Sequence, residues 1–381
     1  MTPSNPRRGL VLALIASLAI SFVGQAAAGG DSLVSHGYGI SNVVEVGPGP
    51  LVSVSCASAT NCTAIGVGTS QSFRVLEVNG RWGTPKSFSA PFSESLQSVS
   101  CPSVGNCSAV GYVGTDGVGV GVMHQPVVAS EVNGIWGPVT KLGVDGVGNL
   151  SSVDCSSVGN CVAVGFNPVG LTLSDSAVYS IEENGVWGPV VRIGGVGNGG
   201  LDSVSCVTSG NCLAIGGSTE GSKSLPMYSV ERDRKWSPLN EVVSSGAIGL
   251  AGVSCTASGE CVAVGGSLNG GPIELSFVRG RWGPIQRSIS PVADSIFSEV
   301  SCTQVGNCVA VGTAGSLYDA GIYAIQNGGR WGKVNIVRLP NSGLLLQSVS
   351  CPVPDYCSSV GWAFKPKSTL QLGVASVIKS F

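Results

Sequence analysis

The stretch Ser53-Val54-Ser55-Cys56-Ala57-Ser58-Ala59-Thr60-Asn61-Cys62 contains a short alternating segment, a turn and two cysteines. Its outline returns along the whole chain. All 14 cysteines fall into seven pairs of one spacing: Cys56/Cys62, Cys101/Cys107, Cys155/Cys161, Cys206/Cys212, Cys255/Cys261, Cys302/Cys308 and Cys351/Cys357. The first cysteines recur every 45 to 54 residues, which suits a unit of four short strands. The Ser-Val-Ser alternation reads as a strand. Asn61, Asn106, Asn160, Asn211 and Asn307 stand just before the second cysteine, where Asn accommodates the left-handed backbone of a tight turn.

The rest of the unit follows the same grammar. A Val/Ala-rich segment ending in Gly, such as Cys161-Val162-Ala163-Val164-Gly165, predicts a second strand. A third runs into an Asn-Gly turn and a Trp, as in Asn79-Gly80-Arg81-Trp82, Asn133-Gly134-Ile135-Trp136 and Asn184-Gly185-Val186-Trp187. Both residues of Asn-Gly accept positive φ, so this is a strong hairpin signal. A fourth strand is expected at segments like residues 188–191.

The chain ends carry further information. Residues 1–28 read as a signal peptide: Arg7 and Arg8, an apolar run from Leu10 to Val23, then Ala26-Ala27-Ala28. Residues 29–39 read as a tail. Asn42-Val43-Val44-Glu45-Val46 resembles a fourth strand with no unit of its own, and the seventh unit stops after its third strand. The expected architecture is therefore all-β. Residues 40–381 would form a seven-bladed β-propeller of four-stranded blades, the N-terminal strand closing the last blade, with one disulfide per blade. Closure would remove open sheet edges.

Composition agrees with short strands and turns, with 11% charged residues, 43% hydrophobic residues and 57 glycines. The net charge is −2, and no basic run stands out to neutralise phosphates, so nucleic acid is not an expected partner. Structural zinc sites use closer cysteine pairs with further Cys or His, and this chain has two histidines. Seven hairpin disulfides in an exported chain are the expected state of the thiols.

The Asn-Gly-x-Trp turn resembles that of the Asp-box (bacterial neuraminidase) repeat, carried here by Trp82, Trp136, Trp187, Trp236, Trp282 and Trp331. Ile215-Gly216-Gly217 and Val264-Gly265-Gly266, with Tyr179, Tyr228 and Tyr323 eight residues before a Trp, resemble kelch repeats. Both resemblances imply a propeller fold and assign no activity. The sialidase arginine cluster is not matched, because Arg81, Arg281 and Arg330 each precede a turn Trp.

No catalytic residue, metal site or cofactor is expected. Glu77, Glu131, Glu182 and Glu231 fill one repeated position five residues before the Trp, which points to service of the blade. Asp154 and Glu299 break the Ser pattern of the first strands and are candidate ligand-binding groups if they face a central channel. Asp116 and His124, on an irregular loop from Val113 to Gln125, are the other candidates. The expected product is a secreted, monomeric recognition or scaffold protein with no membrane span after signal cleavage, at the cell surface, in the periplasm or outside the cell. Its partner would be an extracellular glycan, cell-wall polymer or protein. Two alternatives stay open: a glycan-active hydrolase or lyase with carboxylates at the channel mouth, and a structural surface-assembly protein.

Overall fold

Every regular element of the described chain is a β-strand. A computed structural model describes residues 32–33, 40, 43–117, 121–143, 148–169, 174–195, 199–220, 223–242, 247–257, 259–267, 271–315, 319–364 and 371–379. The expected signal segment lies outside them. Among the described residues no helix is long and apolar enough to cross a membrane.

The first repeat shows how each unit is made. Leu51–Ser58, Asn61–Val67 and Ser72–Val78 pair antiparallel in order, and Cys56 and Cys62 stand directly opposite each other across the first hairpin. The expected disulfides are all formed: Cys56–Cys62, Cys101–Cys107, Cys155–Cys161, Cys206–Cys212, Cys255–Cys261, Cys302–Cys308 and Cys351–Cys357. No cysteine is free. The Asn-Gly turns have the expected positive φ at both residues, 52° and 76° at Asn79 and Gly80. Repeats three and four share one ten-stranded sheet through a single parallel bridge, Ser176 to Gly199.

Two local expectations are corrected. The fourth strand is not continuous. Val186–Trp187 and Val191–Arg192 both pair with Ser174–Glu183, and Gly188-Pro189-Val190 between them does not. Pro189 has no N–H to donate to a ladder. The break is tied by Gly188 N–H donating to Ile181 O at 2.9 Å and Ser180 Oγ donating to Gly188 O at 3.0 Å. In the cysteine turn, positive φ falls on the residue before Asn or Glu: Thr60, Gly105, Gly159, Gly210, Gly259 and Gly306. The Asn instead binds with its side chain. Asn106 Nδ2 donates to Ser103 Oγ at 3.1 Å, and its Oδ1 accepts the N–H of Asn133 in the second turn at 3.2 Å. Asn160 and Asn307 likewise accept from Asn184 and Gly328, so the two turns of a repeat are pinned on one rim.

The Ser-Val-Ser-Cys motif works between repeats. First strands of neighbouring repeats pack side by side without forming a ladder, which leaves their inward amides without a strand partner. Serines of the preceding repeat supply the acceptors. Ser55 Oγ accepts Cys101 N–H at 2.9 Å; Ser100, Ser205, Ser254 and Ser301 accept Cys155, Cys255, Cys302 and Cys351, each at 3.0 Å. Two residues earlier, Ser53, Ser98, Ser152 and Ser203 accept the N–H of Val99, Val153, Val204 and Val253. Ser348 and Ser350 of the seventh repeat accept Val54 and Cys56 of the first, at 3.2 and 3.0 Å. A buried amide left without an acceptor costs about 1–3 kcal/mol, which accounts for serine in these two columns.

The valine between the serines points into the core. Seven apolar clusters lie between neighbouring repeats, and the one holding Leu51, Val54 and Val75 also takes Val46, Val360 and Ala375. Each cluster also contains one second cysteine: Cys62, Cys107, Cys161, Cys212, Cys261, Cys308 or Cys357. A disulfide is largely apolar, so these bonds fill the core between repeats as well as closing their own hairpins. The N-terminal Val43–Gly47 pairs antiparallel with the last strand, Gln371–Ile378, by Val44 to Ala375 and Glu45 to Val374. Ser32–Leu33 adds outside it.

Candidate functional site

Along each first strand, the residue four before the cysteine is Val52, Gln97, Ser151, Asp202, Ala251, Ser298 or Gln347. It falls one step beyond the inter-repeat serines, towards the rim opposite the cysteine turns. All seven line a cavity of about 950 Å³. The seventh repeat adds Leu345, Trp362 and Phe364, and the sixth adds Ile296 and Glu299. Amides, hydroxyls and carboxyls thus share the space with an aromatic and aliphatic wall, and among the described residues no Lys or Arg is in the lining.

The cysteines take no part in this lining. Cys107, Cys212 and Cys261, like the other second cysteines, are buried in the inter-repeat clusters with their sulfurs bonded. Cys107 makes one further polar contact, its Sγ lying 3.7 Å from Thr63 Oγ1 of the preceding repeat. The cysteine positions named in the sequence therefore lie outside this cavity and are joined as disulfides.

Of the four residues singled out in the sequence as candidate ligand-binding groups, Asp154 and His124 do not line this cavity. Glu299 lines this cavity. Its Oε1 accepts the N–H of Val300 at 2.9 Å, a bond that a serine of the fifth repeat would otherwise make. That repeat has Gly252 there, and a Cβ on Gly252 would lie 2.4 Å from Glu299 Oε1. Acid and glycine are one compensated exchange. Asp154 is a second version of the latch, accepting Cys206 N–H at 2.7 Å and Ser100 Oγ–H at 3.3 Å. His124 is on the opposite strand of a long hairpin, its ring stacked on Tyr112 with centroids 4.3 Å apart. The segment read as a loop is that hairpin: Asn106–Gly117 pairs with Gly121–Val132. Asp116 pairs with Val122 through the backbone, and its side chain lies outside the description.

The repeated acids face the preceding repeat. Glu182 accepts from Ser108 Oγ at 2.9 Å and Ser130 Oγ at 3.4 Å, and Glu77 from Tyr356 Oη at 2.6 Å. The counterparts of Ser108 and Ser130 one repeat later are Val162 and Ile181. Glu231, which faces that apolar wall, is buried with neither oxygen bonded. Cys155, Cys161 and Glu182 lie close enough to share an ion, but the two sulfurs are bonded to each other.

Burial pushes the Glu299 carboxyl up to about 8; the Val300 amide opposes this and the Asp154 charge adds to it. Burial likewise raises Glu231 and Glu274 to about 7, against the pull of Arg234 and Ser288. These folded values lie above the ordinary carboxyl value of 4.5. Their stabilising contribution is therefore complete below that value and is lost as pH rises through 7 to 8. The melting temperature should fall between about pH 5 and about pH 8, and Glu299→Gln should shrink that fall. A flat or rising melting curve across this range would refute the assignment.

No family model matches the chain, and no curated protein sequence matches it, so the Asp-box and kelch likenesses rest on the quoted residues alone. Solved structures do match. The chain is similar to YCF48 bound to D1 peptide, with TM-score 0.55 and 14% identity over 92% of this chain and 98% of that one. It is similar to the WD40 domain of Toxoplasma gondii coronin, with TM-score 0.50 and 11% identity over 92% and 90%. Kuenenia stuttgartiensis hydrazine synthase gives TM-score 0.57 and 10% identity over 88% and 96%. The fold is of the β-propeller type. At these identities the likeness speaks for the propeller fold alone.

Within the propeller, the kelch-like tyrosines reach across repeats. Tyr179 lies 5.7 Å from Trp236 of the next repeat and Tyr228 lies 5.6 Å from Trp282. Arg81, Arg281 and Arg330 are exposed, while Arg74 sits 5.8 Å from the Trp136 ring. Asp202, Gln97, Gln347 and Trp362 were not singled out in the sequence. A signal for the first three was present, as a variable column beside two nearly uniform serine columns.

Proposed function

We propose that the chain is an exported, seven-bladed propeller closed by its N-terminal strand, and that it recognises a neutral extracellular glycan or cell-wall polymer in the central cavity. One observation carries the ligand reading: the cavity of about 950 Å³, lined from all seven repeats, sets Trp362 and Phe364 among Gln97, Gln347, Ser298 and Asp202. Aromatic faces suit the apolar faces of sugar rings, and amides and hydroxyls suit their hydroxyl groups. Among the described residues the only ionisable groups in the lining are acids, which disfavours anionic ligands. Closure is supported by the Ser348 and Ser350 latches and by the pairing of Val43–Gly47 with Gln371–Ile378. Export is supported by the seven disulfides, which are typical of extracellular proteins.

Titration calorimetry with neutral hexose and N-acetylhexosamine tetramers tests this. Binding is expected, with a loss of at least about tenfold in Trp362→Ala, as removal of a central aromatic anchor costs on the order of 2 kcal/mol. Retained affinity in that variant, or no binding of any such oligosaccharide, would reject the reading. A second reading, a glycan-active hydrolase or lyase, draws on Asp202 and a Glu299 raised to about 8 in the same cavity. Release of shortened oligosaccharide, abolished by Asp202→Asn, would favour it.

A further inference from the structure

The first six repeats each have their cysteine turn and Asn-Gly-type turn bonded together, as by Gly134 N–H to Gly105 O at 2.8 Å and Gly185 N–H to Gly159 O at 2.9 Å. The first strands run side by side, so all these turns gather on one rim, opposite the cavity mouth. Turn tips are ordinarily polar. Here the second and third repeats present Val104, Val132, Ile135, Val158 and Val186 to solvent, with Ile135 75% and Val186 70% exposed. Their own repeats leave these side chains uncovered: Val132 with Ile135, and Val186 with Glu183, form the last inter-strand pairs before the turn, and Val104 and Val158 lie in the cysteine turns.

At the position of Ile135 and Val186 the flanking repeats carry cations, whereas at the positions of Val104 and Val132 three of them keep exposed valines, Val78, Val278 and Val305. Arg81 stands in the first repeat, Arg232 and Lys235 in the fourth, Arg279 and Arg281 in the fifth and Arg330 in the sixth, all at the turn tips. With Arg234, which pairs with Glu183, the tips hold seven cations against four acids, Glu183, Asp233, Glu260 and Asp355, whereas the chain as a whole is net negative, at −2. The cations come one to three per repeat, about fifty residues apart, which is why the sequence shows no long basic run.

We infer that the turn rim docks the protein on an anionic lipid surface. The aliphatic tips of repeats two and three enter the headgroup boundary, and the surrounding arginines and lysine meet the lipid charge. Aliphatic groups that insert shallowly, flanked by cations, are the two signals that hold a peripheral protein on an acidic bilayer. The cavity on the opposite rim would then face away from the membrane. The inference does not depend on what that cavity binds.

Six of the seven tryptophans, all but Trp362, follow the turn tips of this rim and report on it. The test uses the full chain with phosphatidylcholine vesicles, with and without about 30 mol% phosphatidylglycerol, carrying brominated acyl chains. The acidic vesicles should sediment the protein and quench its tryptophan emission, and the neutral ones should do so far less. Ile135→Ser with Val186→Ser, and separately Arg279→Glu with Arg281→Glu, should each lower partitioning at least about tenfold. These residues stand at the turn tips, so melting temperatures should hold in both variants and exclude misfolding. The N-terminal apolar segment is the same in all three proteins, so a difference between them reports the rim. Equal partitioning of wild type and variants, absence of quenching, or binding to DNA but not to acidic vesicles would overturn the inference.

Discussion

Reduction of the seven disulfides is expected to unfold the protein at ordinary temperature. Each bond closes a loop of about seven residues, worth roughly 2.4 kcal/mol in the chain-entropy treatment. Seven of them together reach on the order of 15 kcal/mol, which matches or exceeds the whole stability of a typical domain, about 5–15 kcal/mol. Strain and residual structure in the unfolded chain lower the sum, but half of it still leaves the reduced fold marginal. The bonds also lie where loss spreads. The amides of Cys56, Cys101 and Cys155 are latched to Ser350, Ser55 and Ser100 of the preceding repeat, so a loosened hairpin frees an inter-repeat bond as well. Their partners Cys62, Cys107 and Cys161 lie in the apolar clusters, so the same loosening disturbs the core. Circular dichroism melts with and without a phosphine reductant are the check. The cooperative transition should vanish or fall by tens of degrees, whereas a shift under ~5 °C would show that the staples hold little.

The repeat count, the hairpins and the disulfides were readable because each is local: two cysteines and the turn between them lie within one short segment. The inter-repeat latches were not. Ser55 and the Cys101 amide it accepts are 46 residues apart, and only the side-by-side packing of first strands brings them together. The same distance effect separates Asp154 from Glu299. Both stand out in sequence as departures from serine, yet Asp154 still performs the serine's task towards Cys206, whereas Glu299 fills the space opened by Gly252 in the preceding repeat. The acid column repeats the lesson. Glu182 and Glu231 look alike until Ser108 and Ser130 are set against Val162 and Ile181 on the facing walls. The cavity was hidden because it belongs to no segment. It exists only where seven variable positions face one another, and its aromatic wall comes from Trp362, the one tryptophan outside the turn pattern.

Val43→Asp should destabilise the protein by about 4 kcal/mol or more, although the substitution lies near the start of the described chain. Val43 is fully buried in the cluster that also holds Val349, Val374 and Ile378 of the seventh repeat. Loss of its burial removes about 1.5–3 kcal/mol, and an uncompensated carboxylate in that cluster adds a desolvation cost of several more. The strand would leave the sheet, and the backbone of Gln371–Ile378 would become an open edge prone to pairing with other chains. Val78→Asp is the matched control, since Val78 is exposed at the end of its strand and the change should stay within about 0.5 kcal/mol. Denaturant melts of the two variants separate two pictures of the molecule. If the N-terminal strand is an accessory to an array already held by its serine latches, the variants will behave alike. If it is the seam of a ring, the Ser348 and Ser350 bonds, each worth only about 1 kcal/mol, cannot hold the first and last repeats together without it. The aspartate variant should then unfold at far lower denaturant and aggregate, and equal midpoints would disprove ring closure through this strand.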